Sequence, residues 1–488
     1  QKTAYEIASC LVGSEMCVRD RSMGGAFGLG GPTPQRRRAE AFVREREDMV
    51  RASVTLLRQS RPAFSAFPSG DASKAGAPKR AGKATAALVA PKMFEVAWGP
   101  ALSAFSHALE RIFRGPRPTA LALRGLKMSA TIASCLGLDV ACLSLVNALA
   151  AFTTLYGPPK PLLPRHAACA ETLLGLASHD ECAEHLGASW LPLLRVASKV
   201  AHLRLVSTGA RTDDAYFGGE EQGKSSAASR SAEAERKTRE EENARALAAH
   251  SGIDDAALDA LFARSAKLSA VGVEAFITQL CAVSAAELST GDALDLGATF
   301  ALSEADVQAG GAYDDQGGDG AGKPLPPLGA PPRPRVYSLQ RLVDVADGNI
   351  AHRPRLAWDR MWRVLAAHFA RAGAHANADV ARYAVDSLRQ LSLKFLSKEE
   401  LKAFTFQRAF LRPFERVFRA NRDVAGGASR ADVREYVVAC VDVLVQARAA
   451  NLKSGWRSIL SVLGAAAGDG EPRVAALAFA SLGQIMDN

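Results

Sequence analysis

Three residues of types that bind metals recur at three-residue steps in one short segment, at His179, Cys182 and His185. Zinc takes imidazole and thiolate ligands, so this cluster is the part of the sequence most typical of a chemical site. Only three ligands are local, the sequence indicates no fourth, and the segment lies between two apolar helical patterns. We therefore favour a loop between helices over a metal site and predict no metal.

No other motif in the sequence is typical of catalysis. The glycine-rich stretch 24–31 lacks the Lys-Ser/Thr of a P-loop and the preceding strand of a dinucleotide site. No Gly-x-Ser-x-Gly elbow is present, and nothing in the sequence brings Ser, His and Asp into a triad. We predict no catalytic residue and no cofactor in this chain.

The elements that surround these motifs are helices, and the run 385–396 shows the pattern most clearly. Apolar residues recur at three- and four-residue steps at Val385, Leu388, Leu391 and Phe395. This spacing places them on one face of an amphipathic helix and predicts a packing helix. The polar residues outside that stripe are Asp386, Arg389, Gln390 and Lys394.

Helix starts recur along the chain, each marked by a capping residue. Ser397 with Glu400 is typical of a capping box, and Ser284 and Ser338 stand in similar settings. The starts at Ser338 and Asn377 are one helix pair apart, which fits the period of about 40 to 47 residues of HEAT and armadillo repeats. We predict an all-α fold, an α-solenoid of HEAT/armadillo-like repeats with flexible insertions.

Composition bounds the class of protein. A chain of 488 residues exceeds the size at which one hydrophobic core keeps growing. A repeat array can reach this length without forming separate cores. The eight cysteines are scattered without a CxxC pair, which indicates a reducing, cytosolic compartment. No run of 18 or more apolar residues appears, so we propose no transmembrane helix.

Positive charge is concentrated in residues 353–422, which hold fifteen Lys and Arg against six Asp and Glu. Such a surface attracts phosphates, acidic lipid headgroups or an acidic partner, although a solvated face without a ligand explains it as well. Few aromatic residues interleave with these bases, and no nucleic-acid-binding motif is present. We predict weak attachment to acidic membranes and no binding of nucleic acid.

The chain divides by composition into seven segments, and we expect it to be incomplete at both ends. The predicted segments are a disordered or non-native, adapter-derived leader at 1–35, a first helical block at 36–210, a charged linker at 211–245, helical hairpins at 246–300, a Gly/Pro/Asp-rich insertion at 301–335, a second helical block at 336–430 and the start of a third at 431–488.

Several motifs occur in an order and spacing that resemble a known family. These are the runs 334–339, 355–362, 386–396 and 451–456, which contain the sequences PRVYSL, RLAWDRMW, DSLRQLSLKFL and NLKSGW. The runs 93–106, 148–153 and 189–190 match an earlier block. Together they resemble the region downstream of the exchange domain in large Golgi-type Arf guanine-nucleotide-exchange factors, the brefeldin A-inhibited class of the Sec7 family. The segment 179–187 departs from the family, which has an Asp-Gly-Asn-type turn there.

The resemblance implies a regulatory region without the exchange chemistry, because no residue matches the family's exchange domain. Implied partners are an Arf-family GTPase, the upstream exchange domain of the same protein, an acidic membrane surface and a second copy of the chain. The implied location is cytoplasmic, peripherally associated with Golgi and trans-Golgi membranes. The family-motif residues, structural or partner-binding, are Trp98, Phe152, Trp190, Trp358, Arg360, Trp362, Asp386, Leu388, Arg389, Gln390, Lys394, Ser454, Gly455 and Trp456.

An alternative function needs only the helical pattern. A stand-alone HEAT/armadillo-like scaffold that binds protein partners would show the same periodicity and caps. The five tryptophans do not separate the two hypotheses, since each lies in an apolar helical pattern where core packing is the simplest interpretation.

Overall fold

The structure is a computed structural model that describes most of the chain. The described residues are 40–45, 47–49, 51–52, 55, 79–110, 116–155, 160–217, 227–250, 252–291, 334–397, 400, 405–422 and 430–487. The predicted leader at 1–35 and nearly all of the predicted insertion at 301–335 lie outside them. All regular secondary structure in the described residues is helical, which confirms the all-α prediction.

The chain forms two compact units, Gln1–Thr153 with Ala168–Ser189, and Thr154–Ala167 with Trp190–Asn488. The described helices of the first unit include α1 (Lys79–Glu110), α2 (Pro116–Cys135), α3 (Asp139–Phe152) and α5 (Asp180–Glu184), whereas α4 (Pro164–Leu174) has residues in both units. In the first unit α2 packs against both α1 and α3.

The second unit contains the longer helical series. Its described helices are α6 (Trp190–Ser207), α7 (Asp214–Phe217), α8 (Ala227–Ala248), α9 (Asp255–Ala263), α10 (Ala270–Thr290), α11 (Tyr337–Ile350), α12 (Arg355–Gly373), α13 (Ala378–Phe395), α14 (Phe406–Arg422), α15 (Ala431–Arg448), α16 (Trp456–Ala467) and α17 (Pro472–Asp487).

Packing within the second unit follows a regular order from α10 onward. Helices α10, α12, α14 and α16 pack side by side in one row, and α11, α13, α15 and α17 do the same in a second row. Contacts between consecutive helices, such as α12 with α13 and α14 with α15, join the two rows. Each row therefore keeps one side for the other row and one side for solvent.

Helix α13 shows why the sequence folds in this way. Val385, Leu388 and Leu391 are buried, and the predicted stripe is therefore the packing face. The helix begins after Asn377, whose side-chain oxygen accepts hydrogen bonds from the backbone N–H groups of Asp379 and Val380. These contacts satisfy N–H groups that the first helical turn leaves without partners, and the helix start predicted at Asn377 is confirmed.

The three predicted serine caps are wrong. Ser338 lies in the first turn of α11, where Val336 occupies the N-cap position. Ser284 lies inside α10, where it shares a 2.9 Å hydrogen bond with His368 Nε2 in the core. Ser397 donates back to the carbonyl oxygen of Lys394 at 2.6 Å, as short polar side chains do at a helix C-terminus. Glu400 is not helical, and the next described helix begins at Phe406.

Within the segment predicted as a charged linker at 211–245, residues 227–245 belong to α8. Ala244 and Leu247 are buried, and Lys199 Nζ on α6 lies 3.1 Å from Glu240 Oε1. Burial favours a raised pKa for Glu240, but a hydrogen bond from His202 and the charge of Lys199 outweigh it and lower that pKa. A helix rich in charge can therefore pack here through paired ions.

By length and composition, α10 could span a membrane, and among the described helices only α10 meets this test. Its apolar window is 72% buried inside the protein. Side chains from α6, α11 and α12 pack against it, so we interpret α10 as a core helix of the second unit.

Candidate functional site

Aromatic rings from three helices form a continuous stack in the core of the second unit. The ring of Phe410 on α14 lies 3.8 Å from that of Trp362 on α12 and 3.9 Å from that of Phe395 on α13. Trp358 stacks on Trp362 at 6.1 Å. The indole N–H of Trp362 donates to the carbonyl oxygen of Ala409 at 3.3 Å. These motif tryptophans therefore hold helices together.

The polar side of α13 carries an ordered cluster around Asp386. Arg389 donates to Asp386 Oδ1 from Nε at 2.8 Å and from Nη2 at 2.7 Å, and Gln390 Nε2 donates to Oδ2 at 2.7 Å. Tyr436 on the neighbouring α15 donates to Oδ1 at 3.3 Å. Burial favours a raised pKa for Asp386, but the hydrogen bonds from Gln390 and Arg389 outweigh it and lower that pKa. The cluster is partly exposed, and the Asp386 side chain within it is a charged carboxylate at neutral pH.

The loop of the NLKSGW motif is held by two side chains that precede it in sequence. Glu400 accepts hydrogen bonds from Ser454 N–H at 3.0 Å and from Ser454 Oγ at 2.8 Å. Gln407 accepts from Lys453 N–H at 2.8 Å and donates to the carbonyl oxygen of Asn451 at 2.8 Å. Glu400 also accepts from Gln407 N–H at 3.0 Å. The motif therefore joins the starts of α14 and α16.

Gly455 in this loop is closely surrounded by side chains. A Cβ at this position would lie 3.0 Å from both Leu411 Cδ1 and Leu452 Cδ2, and 3.2 Å from Gln407 Oε1. We expect Gly455→Ala to lower the free energy of unfolding by about 1–3 kcal/mol, since overpacking displaces these neighbours. Chemical denaturation followed by circular dichroism measures this. Gly464→Ala is the matched control, because an added Cβ there would meet no atom within 4 Å, and an equal loss in the two variants would contradict the packing argument.

A second buried polar cluster fixes the start of α11. Glu287 on α10 is fully buried; it accepts a hydrogen bond from Ser198 on α6 and one from Ser338 N–H at 2.8 Å. Arg335 Nη1 lies 3.8 Å from Glu287 Oε1, and Arg335 Nη2 donates to the carbonyl oxygen of Ser198 at 3.3 Å. Burial raises the pKa of Glu287, against the opposing effects of Arg335, Ser198 and Ser338. The motif residues Arg335 and Ser338 therefore connect three helices.

The surface with the clearest capacity for recognition lies on the solvent side of the row formed by α12, α14 and α16. None of the arginines on this side is fully buried, whereas the opposite sides of the same helices pack in the core. We call this surface the arginine face, and its residues are Arg360, Arg363, Arg408, Arg412, Arg416, Arg419 and Arg457.

The helices of the arginine face, α12, α14 and α16, contain only two acidic residues. Asp359 lies 2.6 Å from Arg363, and Glu415 lies 2.6 Å from Arg419. Glu415 also accepts a hydrogen bond from Ser461 on α16 at 2.8 Å, which joins the exposed sides of α14 and α16. Because arginines outnumber carboxylates here, the face carries net positive charge and can attract an anionic partner.

The structure does not bring all the predicted motif residues into one site. Trp190 and Leu388 are core residues, and Arg360 and Lys394 are exposed. Lys394 Nζ pairs with Asp347 Oδ1 at 2.6 Å. Trp98 and Phe152, both half-buried in the first unit, and Trp456, half-buried in the second, complete the set.

The histidine and cysteine cluster surrounds the short helix α5. His179 precedes it, Cys182 is buried within it and His185 follows it. Within the described ranges, no group of three or more His, Cys, Asp or Glu side chains is placed to hold a metal.

Sequence reasoning missed the side chains that hold the motifs in place. Glu287, Glu400 and Gln407 were not identified as anchors, because their partners lie far along the chain. The mostly apolar sequence of α10, in which Glu274 is the one other charged residue, was the one signal for a buried, paired carboxylate at Glu287. No comparable signal marks Gln407.

Comparison with known proteins gives the same family that the motifs indicate. A family model described as Mon2/Sec7/BIG1-like, HDS matches residues 394–484, which span the end of α13 to α17. The brefeldin A-inhibited guanine nucleotide-exchange protein 1 of Mus musculus is 30% identical over 416 residues, which cover 81% of this chain and 19% of the relative. The protein of the same name from Arabidopsis thaliana is 28% identical over 428 residues, which cover 81% of this chain and 22% of the relative.

The chain therefore spans about a fifth of the length of the relatives it matches. The family-model match at 394–484 includes Phe395 and Phe410 of the aromatic stack and the whole NLKSGW loop. On these grounds the chain belongs to the family of brefeldin A-inhibited guanine nucleotide-exchange proteins, in the region downstream of their exchange domain.

Proposed function

We propose that this chain is the C-terminal regulatory region of an Arf guanine-nucleotide-exchange factor that controls vesicle traffic at the Golgi and trans-Golgi network. The proposal rests on the similarity of 81% of the chain to a protein that is named a guanine nucleotide-exchange protein. The C-terminal part of the chain also matches the HDS family model. In this proposal the exchange chemistry belongs to a separate upstream domain, and these helices bind partners and control the activity of that domain.

The architecture that suits this role is a solenoid of HEAT/armadillo-like repeats. The two rows of helices in the second unit, each helix packed against the next and the next but one, support it. Repeats of this kind stack into extended binding surfaces. Such a surface could contact an Arf GTPase, the upstream exchange domain and a second copy of the chain. We propose these three as partners.

Two experiments test the proposal. The genomic reading frame upstream of this sequence is expected to encode an exchange domain, and the chain is expected to retain Arf in a pull-down. A start codon near residue 36 together with no retention of Arf would favour the alternative, a stand-alone helical scaffold that binds other proteins. The all-helical structure is compatible with both.

We further propose that the arginine face attaches the protein peripherally to acidic membranes. We expect the double variant Arg360→Glu and Arg457→Glu to weaken binding to phosphatidylserine-containing vesicles by about 30-fold, since each basic residue near such a surface is worth about 1 kcal/mol. Both side chains are exposed on helices, so the fold should be unaffected. Vesicle sedimentation measures the change.

The matched control carries the same charge change on a different helix. Arg239→Glu and Arg245→Glu alter two arginines of α8, outside the arginine face, whose side chains are 42% and 73% exposed. Equal loss of binding in the two double variants, or binding that does not weaken as salt rises, would contradict attachment through the arginine face.

A further inference from the structure

The solvent side of α2 in the first unit carries large apolar side chains that no described residue covers. Leu121 is 69% exposed, Met128 is 54% exposed and Ile132 is 41% exposed. They are seven and four residues apart, so they lie on one side of the helix. We call these three residues the α2 ridge. An exposed apolar surface of this kind marks an interaction site more often than an isolated exposed leucine does.

The opposite side of α2 fixes the direction of the ridge. Ala122, Leu126, Ala130 and Ala133 are buried, and the helix packs against α1 and α3. Gly125 allows this close approach, because an added Cβ would overlap the ring of Phe105 on α1. The ridge is therefore held on a packed helix and points away from the other helices that contact α2.

The charged side chains of α2 itself are all of one sign. Arg117, Arg124 and Lys127 are exposed on α2, and the helix contains no Asp or Glu. The wider segment 111–135 contains five Lys and Arg and no acidic residue. Apolar and cationic side chains therefore share the solvent-exposed side of α2, and a carboxylate from outside the helix, that of Glu181 on α5, acts on Cys135 at the end of the helix.

The combination of apolar and basic side chains on α2 favours one kind of binding partner, an anionic membrane surface. Long apolar side chains beside Lys and Arg are the pattern of helices that lie in the plane of a membrane interface, where the apolar groups enter the acyl boundary and the cations reach lipid phosphates. We propose that α2 inserts its ridge into the interfacial layer of anionic membranes, with Arg117, Arg124 and Lys127 at the headgroups.

This inference rests on the membrane association proposed for the arginine face. It adds an apolar contact through a different surface, the α2 ridge. Charge attraction through the arginine face weakens with salt, whereas burial of apolar side chains persists when charges are screened. The two contributions can therefore be separated by salt and by variants, and neither depends on Arf.

The test uses the 488-residue chain and vesicles of phosphatidylcholine with or without phosphatidylserine. We expect the double variant Leu121→Gln and Met128→Gln to bind the anionic vesicles at least about tenfold more weakly at both low and high salt. Glutamine keeps the helix propensity, and both positions are exposed, so the fold should remain. The matched control is Phe479→Gln with Met486→Gln on α17, where the native side chains are 63% and 85% exposed.

A spectroscopic readout locates the contact. Cys135, at the end of α2, is exposed, and the other described cysteines are buried. A bimane label at Cys135, in a chain with Cys10→Ser and Cys17→Ser, is expected to shift to the blue with anionic vesicles and to remain unshifted with phosphatidylcholine alone. The shift is expected to disappear in the Leu121→Gln and Met128→Gln background.

Three outcomes would overturn the proposal. The first is equal vesicle binding by the α2 variant and the α17 control. The second is binding without a blue shift at Cys135, which would place the lipid contact elsewhere, for example on the arginine face alone. The third is a change of oligomeric state in the α2 variant without any change in vesicle binding, which would make a second copy of the chain the occupant of the ridge.

Discussion

Glu287→Ala is expected to lower the free energy of unfolding of the second unit by about 3–5 kcal/mol. The substitution leaves the buried guanidinium of Arg335 without its carboxylate and Ser338 N–H without its acceptor. It also removes the acceptor of Ser198 on α6, so the start of α11 loses its link to two helices. Urea denaturation followed by far-ultraviolet circular dichroism measures the loss.

Glu287→Gln is the matched variant, because it keeps the volume and an acceptor for Ser338 N–H while it removes the charge. Burial raises the pKa of Glu287, which means that the protein already disfavours the charged form and should lose less when the charge is removed. We expect a loss of about 1–2 kcal/mol. Stability of Glu287→Ala within experimental error of the native chain would show that this cluster does not fix the start of α11.

Phe410→Ala is expected to lower the free energy of unfolding by a similar amount, about 3–5 kcal/mol. Phe410 is only 1% exposed, and its ring stacks between those of Trp362 and Phe395. Removing the ring opens a cavity between α12, α13 and α14. Urea denaturation measures the loss, and tryptophan fluorescence should change as well, because Trp362 loses its stacking partner.

Phe479→Ala on α17 is the control for this variant, because its ring is exposed and its removal opens no cavity. We expect a change within about 0.5 kcal/mol, as is usual for surface substitutions. A fall in stability for Phe479→Ala as large as that for Phe410→Ala would mean that the stack is not a major source of stability.

Local patterns in the sequence predicted the helices whose apolar spacing is regular. The stripe of α13 and the Asn377 cap follow from residues within a few positions of each other, and both are confirmed. The errors at Ser284, Ser338 and Ser397 have one cause: a short serine pattern occurs inside and after helices as well as before them. In α10, burial of the surrounding apolar residues outweighs the local signal at Ser284.

The contacts that assemble the candidate site could not be predicted in the same way. Glu400 and Ser454 are 54 residues apart, and Ser338 and Glu287 are 51 apart, so neither pairing leaves a local pattern. The basic window was visible as a count of charges, but only the packing of α12, α14 and α16 shows which arginines share a side. The family motifs predicted the relationship, yet most of their residues prove to hold helices together.

The central claim is that these helices regulate an exchange domain, and GDP release from Arf tests it most directly. The rate is measured on anionic vesicles for the exchange domain of the full protein, with and without residues 36–488, and for the 488-residue chain alone. We predict no release by the chain alone, and at least about a fivefold difference between the two exchange-domain forms, the smaller end of typical coupling between sites. Equal rates with and without these residues would contradict the account.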